Sequence, residues 1–138
     1  GPTLPRFPGL PARWAGASEY VALFPNFLLG LHCDHFYAVR LEPLAPDRTL
    51  EHFEIYYVGD APLGHNYDGV RQEIAKNWRE VFAEDLGVVQ EMQRGRASPA
   101  FEGGVFTPVL EPPTHCFHKW MARALSAASE TTGAAGRA

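Results

Sequence analysis

Asp85 is the residue whose surroundings in the sequence most suggest chemistry. It lies within residues 74–95, where large apolar side chains recur at the spacing that places them on one face of a helix. These side chains are Ile74, Trp78, Val81, Phe82, Val88, Val89 and Met92. At about 100° of rotation per residue, Asp85 falls near the middle of this apolar face. A carboxylate in that setting must be protonated, hydrogen-bonded, paired with a cation or bound to a metal, because an unpaired buried charge is very costly.

Two interpretations of Asp85 follow from this placement. In the structural one, a neighbouring Arg or a backbone amide satisfies the carboxylate, as is common for acidic residues on apolar helix faces. In the functional one, the carboxylate is a metal ligand or a catalytic group. The periodicity alone is compatible with both.

Histidine and cysteine occur in two similar clusters, HCDH at residues 32–35 and HCFH at residues 115–118. A metal site with two cysteines and two histidines is conceivable from Cys33, His35, Cys116 and His118. The spacings nevertheless match neither zinc fingers and ribbons nor a Rieske cluster. We also expect His32 and His35, three apart in an extended segment, to point to opposite faces and not to clamp one ion. The clusters are therefore interpreted as partly buried polar residues at a strand start and a helix start.

Other chemistries find less support in the sequence. No nucleophile with an adjacent base is indicated, and Gly103-Gly104 lacks both the Lys and the strand-to-helix setting of a phosphate loop. Several aromatic residues could line a pocket or hold a quaternary ammonium group by cation–π contacts, although such residues more often form the core. They are Tyr56, Tyr57, Trp78, Phe82 and Trp120.

The elements that must position these residues follow a simple order. Alternating apolar residues predict strands at 20–24, 27–31, 35–42 and 49–58, and the short link at 43–48 suits a hairpin. A helical region follows from Asp68, interpreted as its N-cap, to a stop at Gly95, either as one helix or as two broken near Gly87. Thr114 is predicted to cap a last helix.

We expect the last helix to turn Phe117, Trp120, Met121 and Ala124 inward. Strands followed by helices predict an α+β fold: an antiparallel meander with a long helix and a C-terminal helix packed on one face.

Composition bounds the class of protein. The chain has 138 residues, 46% of them hydrophobic, and a formal net charge of -4 without a run of basic residues. This favours one globular domain and argues against nucleic-acid or membrane binding. Two cysteines and no signal peptide favour the cytoplasm. We predict a Pro-rich linker or lead-in segment at 1–17, the folded domain at 18–128 and a disordered tail at 129–138.

Residues 24–60 and 78–122 together resemble the C-terminal part of the catalytic domain of Rieske-type non-haem iron ring-hydroxylating oxygenase alpha subunits, in the branch with choline and glycine betaine monooxygenases. The likeness runs from about Phe7 to Leu125, and its most specific motif is Phe82-x-x-Asp85 followed by Gln93-Arg94-Gly95. It implies a helix-grip (START-like) fold and an iron held by two His and one carboxylate, which matches Asp85. The family's two histidines belong to an Asp-x-x-His-x-x-x-x-His motif that is not found in this chain.

The resemblance also implies a function for the parent protein. Such an enzyme takes electrons from a reductase or ferredoxin through a 2Fe-2S cluster, activates dioxygen at Fe(II) and hydroxylates or demethylates a small aromatic or quaternary-ammonium substrate. The 2Fe-2S cluster is expected only on the missing N-terminal part. A homo-oligomer of the trimer type is implied as well. Trp78, Phe82, Val89 and Tyr57 would shape the substrate pocket.

A second hypothesis belongs to a different class of protein. The chain could be a non-catalytic helix-grip module that binds a small apolar or cationic ligand, or that assembles with another subunit. If the chain is a fragment, its apolar face should stay open, so that it self-associates or exposes an unpaired strand edge.

Overall fold

A four-stranded antiparallel sheet forms the first part of the molecule. The computed structural model describes residues 2–135, with side chains as far as residue 128. The strands are β1 (Glu19–Leu23), β2 (Phe27–Leu31), β3 (His35–Ala45) and β4 (Arg48–Tyr57), and each pairs with the next in sequence order. The predicted meander is therefore confirmed, with four strands.

The hairpin between β3 and β4 is tighter than predicted. β3 continues to Ala45 and β4 begins at Arg48, which leaves a two-residue turn in place of the predicted six-residue link. The register shifts between Pro43 and Ala45. A proline cannot donate to the ladder but is tolerated at such an irregularity, which explains why Pro43 does not end the strand.

The centre of β3 forms the core of this part of the chain. Tyr37, Ala38 and Val39 are buried, and Val39 has only 1% of its surface exposed. On one face of the sheet, Phe36 stacks on Tyr56 across the β3–β4 pair with ring centroids 4.7 Å apart. The lead-in segment reaches this region, since the backbone N–H of Phe7 donates to the carbonyl of Cys33 at 3.0 Å.

A single long helix, α1 (Asp68–Arg96), lies against the opposite face of the sheet through the rings of Trp78 and Phe82. It is unbroken at Gly87, which resolves the choice between one helix and two, and it ends one residue past the predicted stop at Gly95. The prediction that Asp68 is the N-cap is wrong. Tyr67 holds that position, and the Asp68 carboxylate in the first turn binds the guanidinium of Arg71 one turn later.

The second helix, α2 (Pro112–Ala135), lies in a separate compact unit, Glu102–Ala138. Pro112 and Pro113 occupy its start, where the absence of a backbone N–H does no harm. Thr114 therefore lies inside the helix, and its predicted role as N-cap is wrong.

Aromatic contacts support the first turns of α2. The ring of Phe106 stacks on His115 and meets His118 edge-on, both at 4.9 Å between centroids. Phe117 and Trp120 of the predicted inward stripe stack on each other at 6.2 Å. The tail predicted at 129–138 falls on residues whose side chains, and for 136–138 also the backbone, lie outside the described residues.

Four antiparallel strands and two helices confirm the predicted α+β class. Within residues 2–135, neither helix combines the length and apolar character that crossing a membrane requires.

Candidate functional site

An open cleft of about 730 Å³ separates β4 from α1. Its walls come from one face of the strand and one face of the helix, and they are largely aromatic and aliphatic. The lining residues are Glu51, Phe53, Ile55, Tyr57, Arg71, Gln72, Ala75, Trp78, Arg79, Phe82, Ala83 and Leu86. An apolar concavity with a few polar groups is the usual form of a small-molecule site.

The sequence pattern explains how the two walls face each other. On β4, residues two apart share a face, so Phe53, Ile55 and Tyr57 all point towards the helix. On α1, residues four apart share a face, and Trp78, Phe82 and Leu86 follow that spacing. The cleft thus lies where the two periodicities meet.

Tyr37 of β3 packs against the aromatic residues that form the walls of the cleft. Its ring meets Trp78 edge-on at 4.5 Å between centroids and lies 5.2 Å from Phe53 and 5.8 Å from Phe82. Gly30, its partner on the neighbouring strand β2, leaves space for this ring, because a Cβ atom at position 30 would lie 2.2 Å from it. A glycine is therefore required at position 30 for the Tyr37 ring to keep its place under the cleft.

A hydrogen-bonded chain ties Trp78 to the β2–β3 turn. The indole Nε1–H of Trp78 donates to Nε2 of His35 at 3.1 Å, and Nδ1 of His35 lies 2.7 Å from the carboxylate of Asp34. His35 is therefore neutral in this arrangement, with its proton on Nδ1, since Nε2 accepts from the indole.

His32 stacks on His35 with centroids 4.6 Å apart and ring planes only 10° from parallel. The prediction that these two histidines point to opposite faces is wrong. The backbone N–H of His32 donates to the carbonyl of His35, and Cys33-Asp34 forms a two-residue turn between them. They are thus cross-strand partners, whose side chains share a face, rather than neighbours along one strand.

Burial perturbs the titration of groups around the cleft. The pKa of His32 is lowered from its ordinary value of 6.5, chiefly by desolvation, with a further contribution from His35. Its Nε2 is buried and has no hydrogen-bond partner among the described residues, so a proton there would be poorly solvated. Desolvation also raises the pKa of Tyr37 and of Tyr57. Both phenols therefore stay neutral at physiological pH and keep their O–H groups.

Charged groups of both signs border the cleft. The guanidinium of Arg71 is engaged by the carbonyls of Pro62 and Gly64 and by Asp68, so it stabilises the loop before α1. Arg79 and Glu51 are both exposed in the cleft lining. The site therefore combines an aromatic interior with a mixed-charge mouth.

The predicted site residues are only partly brought together. Trp78, Phe82 and Tyr57 line the cleft, whereas Val89 is 60% exposed and is not among the lining residues. Asp85 is exposed on α1, next to the lining residue Leu86. The apolar surroundings predicted for its carboxylate are therefore absent in the described chain, because every residue from 83 to 96 is exposed.

A metal site is not completed by the residues that the structure describes. Among them, no group of three or more His, Cys, Asp or Glu side chains is arranged to hold an ion. Asp85 is thus a single carboxylate donor, and the remaining ligands of a three-residue iron site would have to come from elsewhere.

The sequence reasoning missed the residues behind the cleft. His35, Tyr37 and Phe53 form or support its walls. A signal existed for Tyr37, since a glycine paired across two strands with a large aromatic residue often marks a ring lying over that glycine. For His35 the signal was the short turn Cys33-Asp34, which makes its flanking residues partners.

Comparison with known proteins agrees with the resemblance. The sequence model of the family described as "Ring hydroxylating alpha subunit (catalytic domain)" matches residues 2–127. The chain is 28% identical to the chloroplastic choline monooxygenase of Spinacia oleracea over 77% of this chain and 24% of that protein. It is 26% identical to that of Amaranthus tricolor over 83% of this chain and 25% of that protein.

The chain therefore spans about a quarter of the length of the curated relatives it matches. No solved structure matches it. The match over nearly the whole sequence nevertheless establishes that the chain belongs to the catalytic-domain family of ring-hydroxylating oxygenase alpha subunits.

Proposed function

We propose that this chain is the part of an oxygenase alpha subunit that supplies one wall of the substrate pocket and the carboxylate ligand of the iron. The parent enzyme activates dioxygen and hydroxylates or demethylates a small substrate, aromatic or quaternary-ammonium. Its fold is the C-terminal part of a helix-grip domain. The observation that carries this proposal is the aromatic cleft between β4 and α1, on the same helix as Asp85.

Helix geometry supports the link between the cleft and Asp85. Asp85 follows Trp78 by seven residues, which is two turns, so the two side chains leave α1 on nearly the same side about 10 Å apart along its axis. A carboxylate at this distance lies beside one end of the cleft. A substrate bound against Trp78 and Phe82 would therefore extend towards it.

Asp85 is also suited to a metal site whose other ligands come from other parts of the parent subunit. Its exposure leaves both carboxylate oxygens accessible. When iron is bound by two imidazoles and one carboxylate, the opposite coordination positions stay open for dioxygen and substrate. Asp85 provides one of these three donors, and the rest of the parent subunit provides the two histidines.

The aromatic walls support a ligand with an apolar or cationic body. Tryptophan and tyrosine faces attract quaternary ammonium groups, and the same faces stack on aromatic rings. Choline is named for both relatives described above, and it carries such a group. The electron donor (reductase or ferredoxin), the 2Fe-2S cluster, the trimeric assembly and the cytoplasmic location remain predictions from the resemblance.

The test of this proposal is the iron content of the full-length alpha subunit that contains this segment. In the Asp85→Ala variant, iron and turnover should be lost, whereas Glu84→Ala, an exposed neighbour on the same helix, should keep both. Normal iron content in Asp85→Ala would refute the assignment. Because Asp85 is exposed, the substitution should not disturb folding.

An alternative function is a non-catalytic ligand-binding module of the helix-grip type. The specific observation in its favour is that both walls of the cleft come from residues of this chain. Titration of the chain with choline, followed by tryptophan fluorescence, examines this alternative. Binding that Trp78→Ala abolishes, in a full-length protein that holds no iron, would favour the module over the oxygenase.

A further inference from the structure

We propose that Asp34 and His35 are positioning residues for the cleft, which hold the indole of Trp78 in its wall while His35 is neutral and release it when His35 is protonated. The role of this wall in ligand binding rests on the proposed function. The hydrogen bonds from Asp34 through His35 to Trp78 do not depend on that proposal. It links the β2–β3 turn, far away in sequence, to the middle of α1.

The geometry assigns a direction to each hydrogen bond. The indole nitrogen can only donate, so Nε2 of His35 must carry a free lone pair at the observed 3.1 Å. The proton of a neutral His35 is then on Nδ1, where it points at the Asp34 carboxylate 2.7 Å away. Asp34 thus selects the tautomer that can accept from Trp78, in the way a second hydrogen bond commonly orients a functional imidazole.

Protonation of His35 removes this acceptor. An imidazolium has a donor on both nitrogens, so the Nε2–H would face the indole N–H of Trp78. Two donors at 3.1 Å cannot form a hydrogen bond, and one of the two rings must turn away. Trp78 also meets Tyr37 and Phe82, so its movement would change the aromatic surface of the cleft.

The groups that face His35 act on its proton in different ways. The carboxylate of Asp34 lies 2.7 Å from Nδ1 of His35, and the ring of His32 stacks on His35 at 4.6 Å between centroids. Desolvation lowers the pKa of His32, so this ring gains its proton at a lower pH than an ordinary histidine does. Tyr57 of β4, 6.4 Å away, and Trp78 of α1 add no charge. Asp34 therefore contacts the Nδ1 side of His35 directly, through its carboxylate.

Contacts with three residues fix the orientation of the Trp78 side chain and leave it little conformational freedom. The indole donates from its nitrogen to His35, and its ring lies 5.1 Å from the tilted ring of His32 and 4.5 Å from the ring of Tyr37. A pre-ordered aromatic wall binds a ligand without an ordering cost on binding, so loss of the His35 bond should weaken the affinity of the cleft.

Indole N–H signals in NMR spectra of the isotope-labelled chain test the proposal without any ligand. The chain has three tryptophans, and the Trp78→Phe variant identifies the Trp78 signal. In the wild type, this signal should shift between about pH 8 and about pH 5. Its protection factor, which is the exchange rate of a free tryptophan indole at the same pH divided by the measured rate, should fall about tenfold as one hydrogen bond is lost.

Two substitutions of His35 separate hydrogen bonding from packing. His35→Gln provides an amide oxygen that accepts from the indole but does not titrate, so the protection factor of the indole N–H should stay high at both pH values. His35→Phe keeps a ring but no acceptor, so the protection factor should be low at both pH values. A purely structural role would instead make Phe the better replacement. Asp34→Ala removes the carboxylate that fixes the Nδ1–H tautomer of His35, so the protection factor of the Trp78 indole N–H should fall at about pH 8 as well.

Two results would overturn the proposal. One is an unchanged pH transition in His35→Gln, which would assign it to another group such as His32. The other is a high protection factor for the Trp78 indole N–H in His35→Phe. Choline titrations of the same variants at both pH values then test the consequence for the cleft. Failure of choline to bind the wild type counts against the ligand proposal and leaves the NMR result to decide the positioning role.

Discussion

The two halves of α1 have similar apolar patterns but different surroundings. Residues 68–82, the sheet-facing half, place Ile74, Trp78 and Phe82 half-buried against the sheet. Residues 83–96, the overhanging half, continue the pattern with Val89 and Met92, yet both are about half exposed or more. Periodicity therefore specifies which face of a helix is apolar, but it does not specify what covers that face.

Burial along α1 shows where the halves divide. Trp78 lies near His35, at the β4 end that carries Tyr57, and Phe82 lies against Phe53. The helix thus runs towards the start of β4. Phe82 is the last half-buried residue of α1, and every residue from 83 to 96 is exposed, so Asp85 lies just beyond the part of the helix that packs on the sheet.

The largest difference between the halves should appear on truncating one residue of each. Trp78→Ala removes contacts with Tyr37, Phe82 and His32, and should lower the free energy of unfolding by about 2–3 kcal/mol. Val89→Ala should change it by less than about 0.5 kcal/mol. Urea denaturation of both variants measures this. Equal losses would mean that something covers the overhanging half in solution.

The sheet-facing half should also depend on a residue that it does not contact directly. Gly30→Ala places a Cβ atom against the Tyr37 ring, which is confined by Trp78 and Phe82 and cannot easily move. Overpacking of this kind should cost about 1–3 kcal/mol in denaturation experiments. Gly69→Ala is the matched control, because nothing lies within 4 Å of its Cβ position. Similar stabilities of the two variants would contradict the confinement of Tyr37.

The overhanging half should become more stable through a substitution that adds no tertiary contact. Gly87→Ala adds a methyl group with no neighbour within 4 Å, and alanine is the better helix former by about 0.5–1 kcal/mol. Slower amide hydrogen exchange around residue 87 should report this gain. A loss of stability would instead indicate that another surface packs on α1 at this position.

The smallest expected effect concerns acid stability on the sheet-facing side. The pKa of His32 is lower in the folded protein than its ordinary 6.5, so the unfolded chain binds the proton first as pH falls. His32 therefore destabilises the fold progressively from about pH 6.5 down to its lowered pKa, and has no effect above that window. His32→Phe should flatten the dependence of unfolding free energy on pH in this range. His65→Gln, which replaces an exposed ring, is the control. If the slope of unfolding free energy against pH is unchanged in His32→Phe, His32 is not buried as described.

The faces of single elements follow local patterns, whereas the contacts behind the cleft depend on pairing across the chain. Periodicity places Trp78 and Phe82 on one face of a helix and Tyr57 on one face of a strand, and all three line the cleft, while their role in substrate binding stays a prediction. His35 was assigned to the wrong face relative to His32 because a two-residue turn makes partners of residues that a single strand would separate. Thr114 was assigned a cap that Pro112 and Pro113 make unnecessary. Both predictions are wrong because they treat one segment without the residues that pair with it or precede it.

The amino-acid sequence by itself determined the α+β class, the meander of strands, the long helix and membership of the oxygenase family, because these depend on periodicity and on motif residues. Only the tertiary structure decided that Trp78 is held by His35 and that Asp85 is exposed at the end of the cleft. The physical reason is that burial and hydrogen bonding depend on which elements meet and where each one ends. Neither quantity is encoded in the pattern of any single segment.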